Sequence, residues 1–164
     1  MLAATAALPG CGFRPIYASR NGGEIGPAQE GLAGIAVQLL PNRYGQLVRQ
    51  ALQSRFDRAG TGIARRYDLA VALGIDSDTI GIRADSGVTR VRLVGIANWT
   101  LTAQDPQRST LSHGMARAVD AYDIANLQFL AADFQSDAVL QRIAEALAEQ
   151  VTLQLATYFN RHAA

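Results

Sequence analysis

The serine, histidine and aspartate residues that could form a catalytic site are few, and their spacing does not favour one. Ser112 and His113 are neighbours in a predicted strand, so their side chains point to opposite faces and do not form a nucleophile–base pair by themselves. Asp76, Asp78 and Asp85 lie near a predicted hairpin without the Asp, Gly and Glu spacing of a calcium loop. We therefore interpret His113 as an exposed strand residue and the three aspartates as solvated turn residues.

Two further patterns resemble functional sites but have simpler interpretations. Asp120 and Asp123 lie at a predicted strand end, where aspartate is common in turns and caps. Gly60-Thr61-Gly62 ends a predicted helix instead of opening one, so it does not form a phosphate-binding loop. One cysteine and two histidines supply too few ligands for a metal cage. The sequence therefore predicts no enzyme, no cofactor and no metal site.

Cys11 is the sole cysteine of the chain, and it follows a run of small apolar residues. The stretch Leu8-Pro9-Gly10-Cys11 resembles a bacterial lipobox, in which cleavage before the cysteine leaves its thiol to carry a diacylglycerol and its new amine to be acylated. Each buried CH₂ of such acyl chains contributes about 0.8 kcal/mol to anchoring. We therefore interpret residues 1–10 as a signal-peptide remnant and Cys11 as the lipidation site; the alternative is a small apolar cysteine in a frayed terminus.

Three arginines flank the predicted first hairpin turn, Asp85-Ser86-Gly87. Arg90 and Arg92 are two residues apart on one strand and so share a face, while Arg83 precedes the turn. Guanidinium groups on one face can hold phosphates through paired hydrogen bonds. The alternative is an ordinary solvated strand face.

Hydrophobic periodicity predicts one α+β domain at residues 35–162, preceded by a lipidated N-terminus and linker at 11–34. The linker is rich in Gly, Asn, Gln and Glu. Ser136-Asp137 is predicted to cap the last helix. The expected fold is a two-layer sandwich of order β-α-β-β-β-α, with two main helices on one face of a mixed, mostly antiparallel four-stranded sheet. The predicted elements are strands at 35–40, 67–82, 88–102 and 109–119, and helices at 43–59 and 136–162.

Composition excludes several classes of function. The 164 residues carry a formal net charge of +1, which gives no electrostatic basis for nucleic-acid binding. All fifteen cationic residues are arginine, so mechanisms that need a lysine are absent. No segment approaches the roughly 20 apolar residues of a membrane-spanning helix.

Four segments carry a resemblance to a known family. The lipobox is followed by Gly12-Phe13-Arg14-Pro15-Ile16-Tyr17, and later segments read YGQLVRQALQSRF, YDLAVAL and IAEALAEQVTLQLATYF. On these residues the chain resembles the alphaproteobacterial form of LptE, an outer-membrane lipoprotein family of lipopolysaccharide assembly. The order of elements extends the resemblance over nearly the whole chain.

The resemblance implies a function, although no single residue of the sequence indicates that function by itself. LptE proteins are plugs and assembly partners of the large β-barrel protein LptD, and they bind lipopolysaccharide on its way to the outer leaflet without enzymatic activity. The family binds lipopolysaccharide through basic residues, for which Arg83, Arg90 and Arg92 are the candidates here. Two alternatives stay open at this point: an auxiliary lipoprotein of a lipid-transporting ABC system, and a periplasmic enzyme with a pocket around His113 or Asp120.

Overall fold

The computed structural model describes residues 25–57, 62–82, 88–124 and 129–162 of the chain. The lipobox, Cys11, Arg83 and the predicted turn at 85–87 lie outside these residues. In chain order the elements are α1 (Pro27–Ala33), β1 (Ile35–Val37), α2 (Asn42–Phe56), β2 (Tyr67–Ile82), β3 (Val88–Ala103), β4 (Thr110–Asp123) and α3 (Phe129–Arg161).

The four strands form one mixed sheet in the order β1-β2-β3-β4. β1 runs parallel to β2, and the other two pairs are antiparallel. The helices pack on one face of this sheet, with α3 lying against β3 and β4 and beside both other helices. The predicted α+β two-layer sandwich is therefore confirmed.

Alternation along the strands creates the face that the helices cover. Trp99 and Leu101 of β3 and Leu69 of β2 are almost fully buried there. Gly95 lies where a Cβ atom would meet the side chains of Ile143 and Tyr44, so the absence of a side chain lets α3 approach the sheet closely. The other buried core residues of the two layers include Val48, Leu52, Phe56, Ala97, Ala116, Ala118, Leu147, Val151 and Leu155.

Part of the predicted linker forms a helix. Pro27–Ala33 is α1, which begins with proline at the first position and buries Ala28 and Leu32. Gly31 lies directly against the ring of Phe159 at the end of α3. The structured domain therefore includes α1, because tertiary burial stabilises a helix of seven residues that propensity alone would not.

Element ends differ from the predictions at several places. α3 begins at Phe129, so the predicted cap at Ser136-Asp137 is wrong. Asp137 instead lies within α3, and its carboxylate accepts a hydrogen bond from Arg43 of the neighbouring helix α2 at 3.0 Å. The pairing of β2 with β3 is irregular between Thr79 and Ile82. β1 ends at Val37, earlier than predicted, and β4 continues to Asp123.

Candidate functional site

The face of the sheet opposite the helices is uncovered within the described residues. We call it the open face. Along each strand its residues alternate with those that pack under the helices. It comprises Ala70, Ala72, Gly74, Asp76 and Asp78 of β2, Arg90, Arg92, Val94, Ile96, Asn98 and Thr100 of β3, and His113, Met115, Arg117, Val119, Ala121 and Asp123 of β4.

Apolar side chains occupy the middle of the open face. Val94 is directly opposite Val119 in the β3–β4 register, and Ile96 lies next to Val94 on the same face. Met115 and Val119 of the edge strand β4 are 56% and 48% exposed, whereas Val94 is buried. The open face therefore presents a hydrophobic stripe to the surroundings.

Two of the three arginines singled out in the sequence lie together at one end of this stripe. Arg90 and Arg92 are both on the open face of β3. Arg90 contacts Asp123 at 3.2 Å, and Arg92 contacts Asp78 at 2.6 Å. Both pairs are well exposed, so each contributes little to stability. An anionic ligand could replace either carboxylate at a small cost.

Arg117 is a third cation of the open face, and the sequence did not single it out. It lies opposite Ile96 and between the two exposed apolar residues of β4, Met115 and Val119. Gln150 of α3 holds its backbone, accepting from the Arg117 N–H at 3.2 Å and donating to its carbonyl at 3.0 Å. Its guanidinium makes no hydrogen bond or ion pair in the described part of the chain, so its charge is available to a ligand.

The sequence signal that could have found Arg117 is the pattern of β4. Met115, Arg117 and Val119 alternate with Ala116 and Ala118. Small alanines pack under a helix, so the larger residues between them must face the other way. That pattern marks an exposed face with both apolar and cationic side chains.

The candidate catalytic residues do not converge. Ser112 lies on the helix side of β4, and His113 lies on the open face opposite Thr100. Asp120 and Asp123 belong to β4 itself, so their interpretation as turn or cap residues is corrected. Asp76 and Asp78 likewise lie within β2 and not in a turn. The register places no nucleophile next to a base among these residues.

Asp120 has a structural role between the two layers. It accepts a hydrogen bond from Nε of Arg142 on α3 at 2.6 Å and one from the backbone N–H of Ala121 at 2.7 Å. The hydrogen bond from Arg142, aided by that backbone donor, holds the pKa of Asp120 below its usual value. The contact ties α3 to β4.

A surface cavity of about 450 Å³ lies at the other end of the domain. Tyr67, Tyr158 and Phe159 form its aromatic wall, and the Arg66–Glu30 ion pair lies at its rim. Neither His113 nor Asp120 lines this cavity. Among the described residues, no group of three or more His, Cys, Asp or Glu is arranged to hold a metal ion. No described helix is both long and apolar enough to cross a membrane.

Comparison with solved structures identifies the fold as one that occurs in bacterial lipoproteins. A candidate lipoprotein from Caulobacter crescentus aligns with a TM-score of 0.63 and 23% identity, over 81% of this chain and 96% of its own. Rare lipoprotein B from Shewanella oneidensis aligns with a TM-score of 0.57 and 11% identity, over 79% of this chain and 97% of its own. Lipoprotein B from Nitrosomonas europaea gives a TM-score of 0.54 and 10% identity, over 77% and 82%. These identities support the fold alone.

The sequence itself decides the family. The sequence profile of the LptE lipopolysaccharide-assembly family matches residues 32–155. The chain therefore belongs to the LptE family, as the resemblance predicted. No curated protein matches the sequence.

Proposed function

We propose that this chain is an outer-membrane lipoprotein that binds lipopolysaccharide through its open face and serves as plug and assembly partner of an LptD β-barrel. The observation that carries the proposal is the combination, on one uncovered sheet face, of an apolar stripe with arginines beside it. The family assignment gives this face its context, since the family is one of lipopolysaccharide assembly.

The chemistry of the open face matches that of the ligand. Lipopolysaccharide carries acyl chains next to phosphorylated sugars. Ile96, Met115 and Val119 offer apolar contact, while Arg92 and Arg117 can hold phosphate oxygens with their planar guanidinium groups. The acid partner of Arg92 is exposed, so exchange of carboxylate for phosphate leaves no buried charge unpaired.

We further propose that Cys11 carries the lipid anchor, with Leu8-Pro9-Gly10 as the recognition sequence for cleavage. Mass measurement of the mature chain from membranes tests this. An N-terminal acylated cysteine is the expected result, and a Cys11→Ser variant should accumulate in an unprocessed form. An unmodified thiol at Cys11 in the membrane-extracted protein would contradict the anchor.

A photo-crosslinking amino acid at position 115 tests lipopolysaccharide binding by the open face directly. The matched control is the same amino acid at position 153, because Leu153 is also an exposed apolar residue, at 37%, but belongs to α3 in the helix layer. We expect a lipopolysaccharide adduct at position 115 and none at 153. Equal labelling at both positions would contradict the proposed face.

Partner identity tests the barrel assignment separately. The full chain, extracted from native outer membranes, should co-purify with LptD. Co-purification with an inner-membrane transporter instead would support the auxiliary-lipoprotein alternative. A free monomer from membranes that contain intact LptD would contradict the plug function.

A further inference from the structure

The sheet has three stretches of strand edge that no neighbouring strand covers. These are the outer edge of β4, the outer edge of β1 and the part of β2 beyond the short β1. Exposed edges present unpaired N–H and C=O groups to other chains, and proteins usually block them. Side chains block parts of the first two edges, whereas among the described residues the third has no such block.

The β4 edge is blocked at Met115 and Arg117 by glutamines of α3. Gln150 satisfies both backbone groups of Arg117. Gln154 donates to the Met115 carbonyl at 3.0 Å. These side chains occupy the positions that an added strand would need.

The β1 edge is blocked by an arginine. Nη1 of Arg65 donates to the carbonyl of Ile35 at 2.6 Å and to that of Ala33 at 2.9 Å. Nη2 of the same guanidinium contacts Asp57 at 2.9 Å, which holds it in place. An added strand would have to displace this arginine.

The β2 edge beyond Leu69 has no such block. The last bond from the β1 side is from the N–H of Gln38 to the Leu69 carbonyl, at 3.0 Å. Because peptide groups alternate along a strand, the groups of Val71, Leu73, Ile75 and Ser77 also point outward. Among the described residues no hydrogen bond reaches these outward groups. The stretch contains no proline, lysine or arginine, and its pairing with β3 has no register shift before Thr79.

The charges beside this edge indicate what can pair with it. Asp76 and Asp78 lie on the open face within the stretch, and Asp76 makes no ion pair among the described residues. A second copy of this chain, paired antiparallel, would bring its own two aspartates onto the same face nearby, and facing like charges destabilise a strand pair. A segment with cations on that face would be attracted instead. On the opposite face, Ile75 is 37% exposed and offers apolar contact.

We propose that the β2 edge from Val71 to Ser77 accepts an added strand from a partner polypeptide, one that alternates cationic residues over Asp76 and Asp78 with apolar residues over Leu73 and Ile75. Such strand addition draws affinity from main-chain hydrogen bonds and specificity from alternate side chains. The site adjoins the arginines proposed to bind lipopolysaccharide, because Asp78 is the ion-pair partner of Arg92.

A labelled short peptide of alternating valine and arginine is the probe, with a valine–glutamate peptide as its control. Fluorescence anisotropy with the full chain should show binding of the arginine peptide alone, and amide exchange should slow at Val71, Leu73, Ile75 and Ser77. The decisive variant is Ser77→Pro. It removes an outward N–H and preserves both aspartates, and proline is tolerated where a strand N–H faces solvent. It should weaken binding by about tenfold or more, whereas Ser77→Ala should bind normally.

Other results would overturn the proposal. Undiminished binding by a folded Ser77→Pro chain would mean that the peptide is held by charge alone. Should that variant fail to fold, Asp76→Arg serves in its place: it should reverse the preference to the glutamate peptide, and an unchanged preference would refute the site. Self-association of the chain that Ser77→Pro abolishes would assign the edge to a second copy.

Discussion

Trp99 and Gln154 join the sheet to the longest helix through one hydrogen bond. The indole N–H of Trp99, buried under α3, donates to Oε1 of Gln154 at 2.8 Å. The amide nitrogen of Gln154 continues to the Met115 carbonyl on β4. The Gln154 side chain therefore supplies a hydrogen-bond partner both to the buried Trp99 N–H and to the Met115 carbonyl at the edge of β4.

Replacing Gln154 with leucine should remove both contacts while keeping similar bulk. The Trp99 N–H is then left buried without a partner, which costs about 1–3 kcal/mol of unfolding free energy. Urea unfolding followed by tryptophan fluorescence measures the loss. A stability equal to that of the original chain would show that this hydrogen bond contributes nothing net.

Two glycines of neighbouring strands should respond in opposite ways to alanine. Gly95→Ala places a Cβ atom against Ile143 and Tyr44, so it should cost about 1–3 kcal/mol through overpacking. Gly74→Ala, on the open face, meets nothing within 4 Å, and it should leave stability unchanged or raise it by up to about 1 kcal/mol. Thermal unfolding of the two variants checks this; similar effects would contradict the closeness of α3 to β3.

The hydroxyl of Tyr44 is a buried group without a hydrogen-bond partner among the described residues. Burial raises its pKa to about 12. Tyr44→Phe removes an unsatisfied polar atom and retains the ring, so it should raise the unfolding free energy by about 0.5–1 kcal/mol. Denaturant titration of both proteins gives the difference. A clear loss of stability would mean that the hydroxyl has a partner after all.

Asp120 should make stability depend on pH in the acid range. Its pKa is lowered in the folded chain by the hydrogen bond from Arg142. Its contribution is therefore complete above the unfolded value of about 4 and is lost as pH falls through the lowered folded pKa. The stability gap between the original chain and Asp120→Asn should close as pH drops below 4, and Arg142→Gln should behave alike. A gap that stays constant with pH would contradict this assignment.

Elements with a clear hydrophobic pattern could be predicted from the sequence. Elements whose stability or ends depend on distant tertiary contacts could not. β2 spans the predicted residues because turn residues bound its long extended run. α1 escaped prediction because its stability depends on contacts with Phe159, more than a hundred positions away. The start of α3 was misplaced because Ser136 and Asp137 resemble a cap in sequence, although an arginine of α2 supplies the partner of Asp137.

The site was partly predictable for a similar reason. Spacing alone placed Arg90 and Arg92 on one face. Their pairing with Asp123 and Asp78, and the addition of Arg117, depend on the register between strands, which no local pattern gives. Arg83 and Cys11 lie outside the described residues and stay predictions.

The most direct test of the account is lipopolysaccharide affinity after charge reversal on the open face. The test variant carries Arg92→Glu with Arg117→Glu. The control carries Arg43→Glu with Arg161→Glu, which changes the net charge equally but on the helix layer. Binding of purified lipopolysaccharide should weaken by about tenfold or more in the test variant, about 1.4 kcal/mol per factor of ten, and remain close to normal in the control. Equal affinity in both folded variants would contradict the open face as the lipopolysaccharide site.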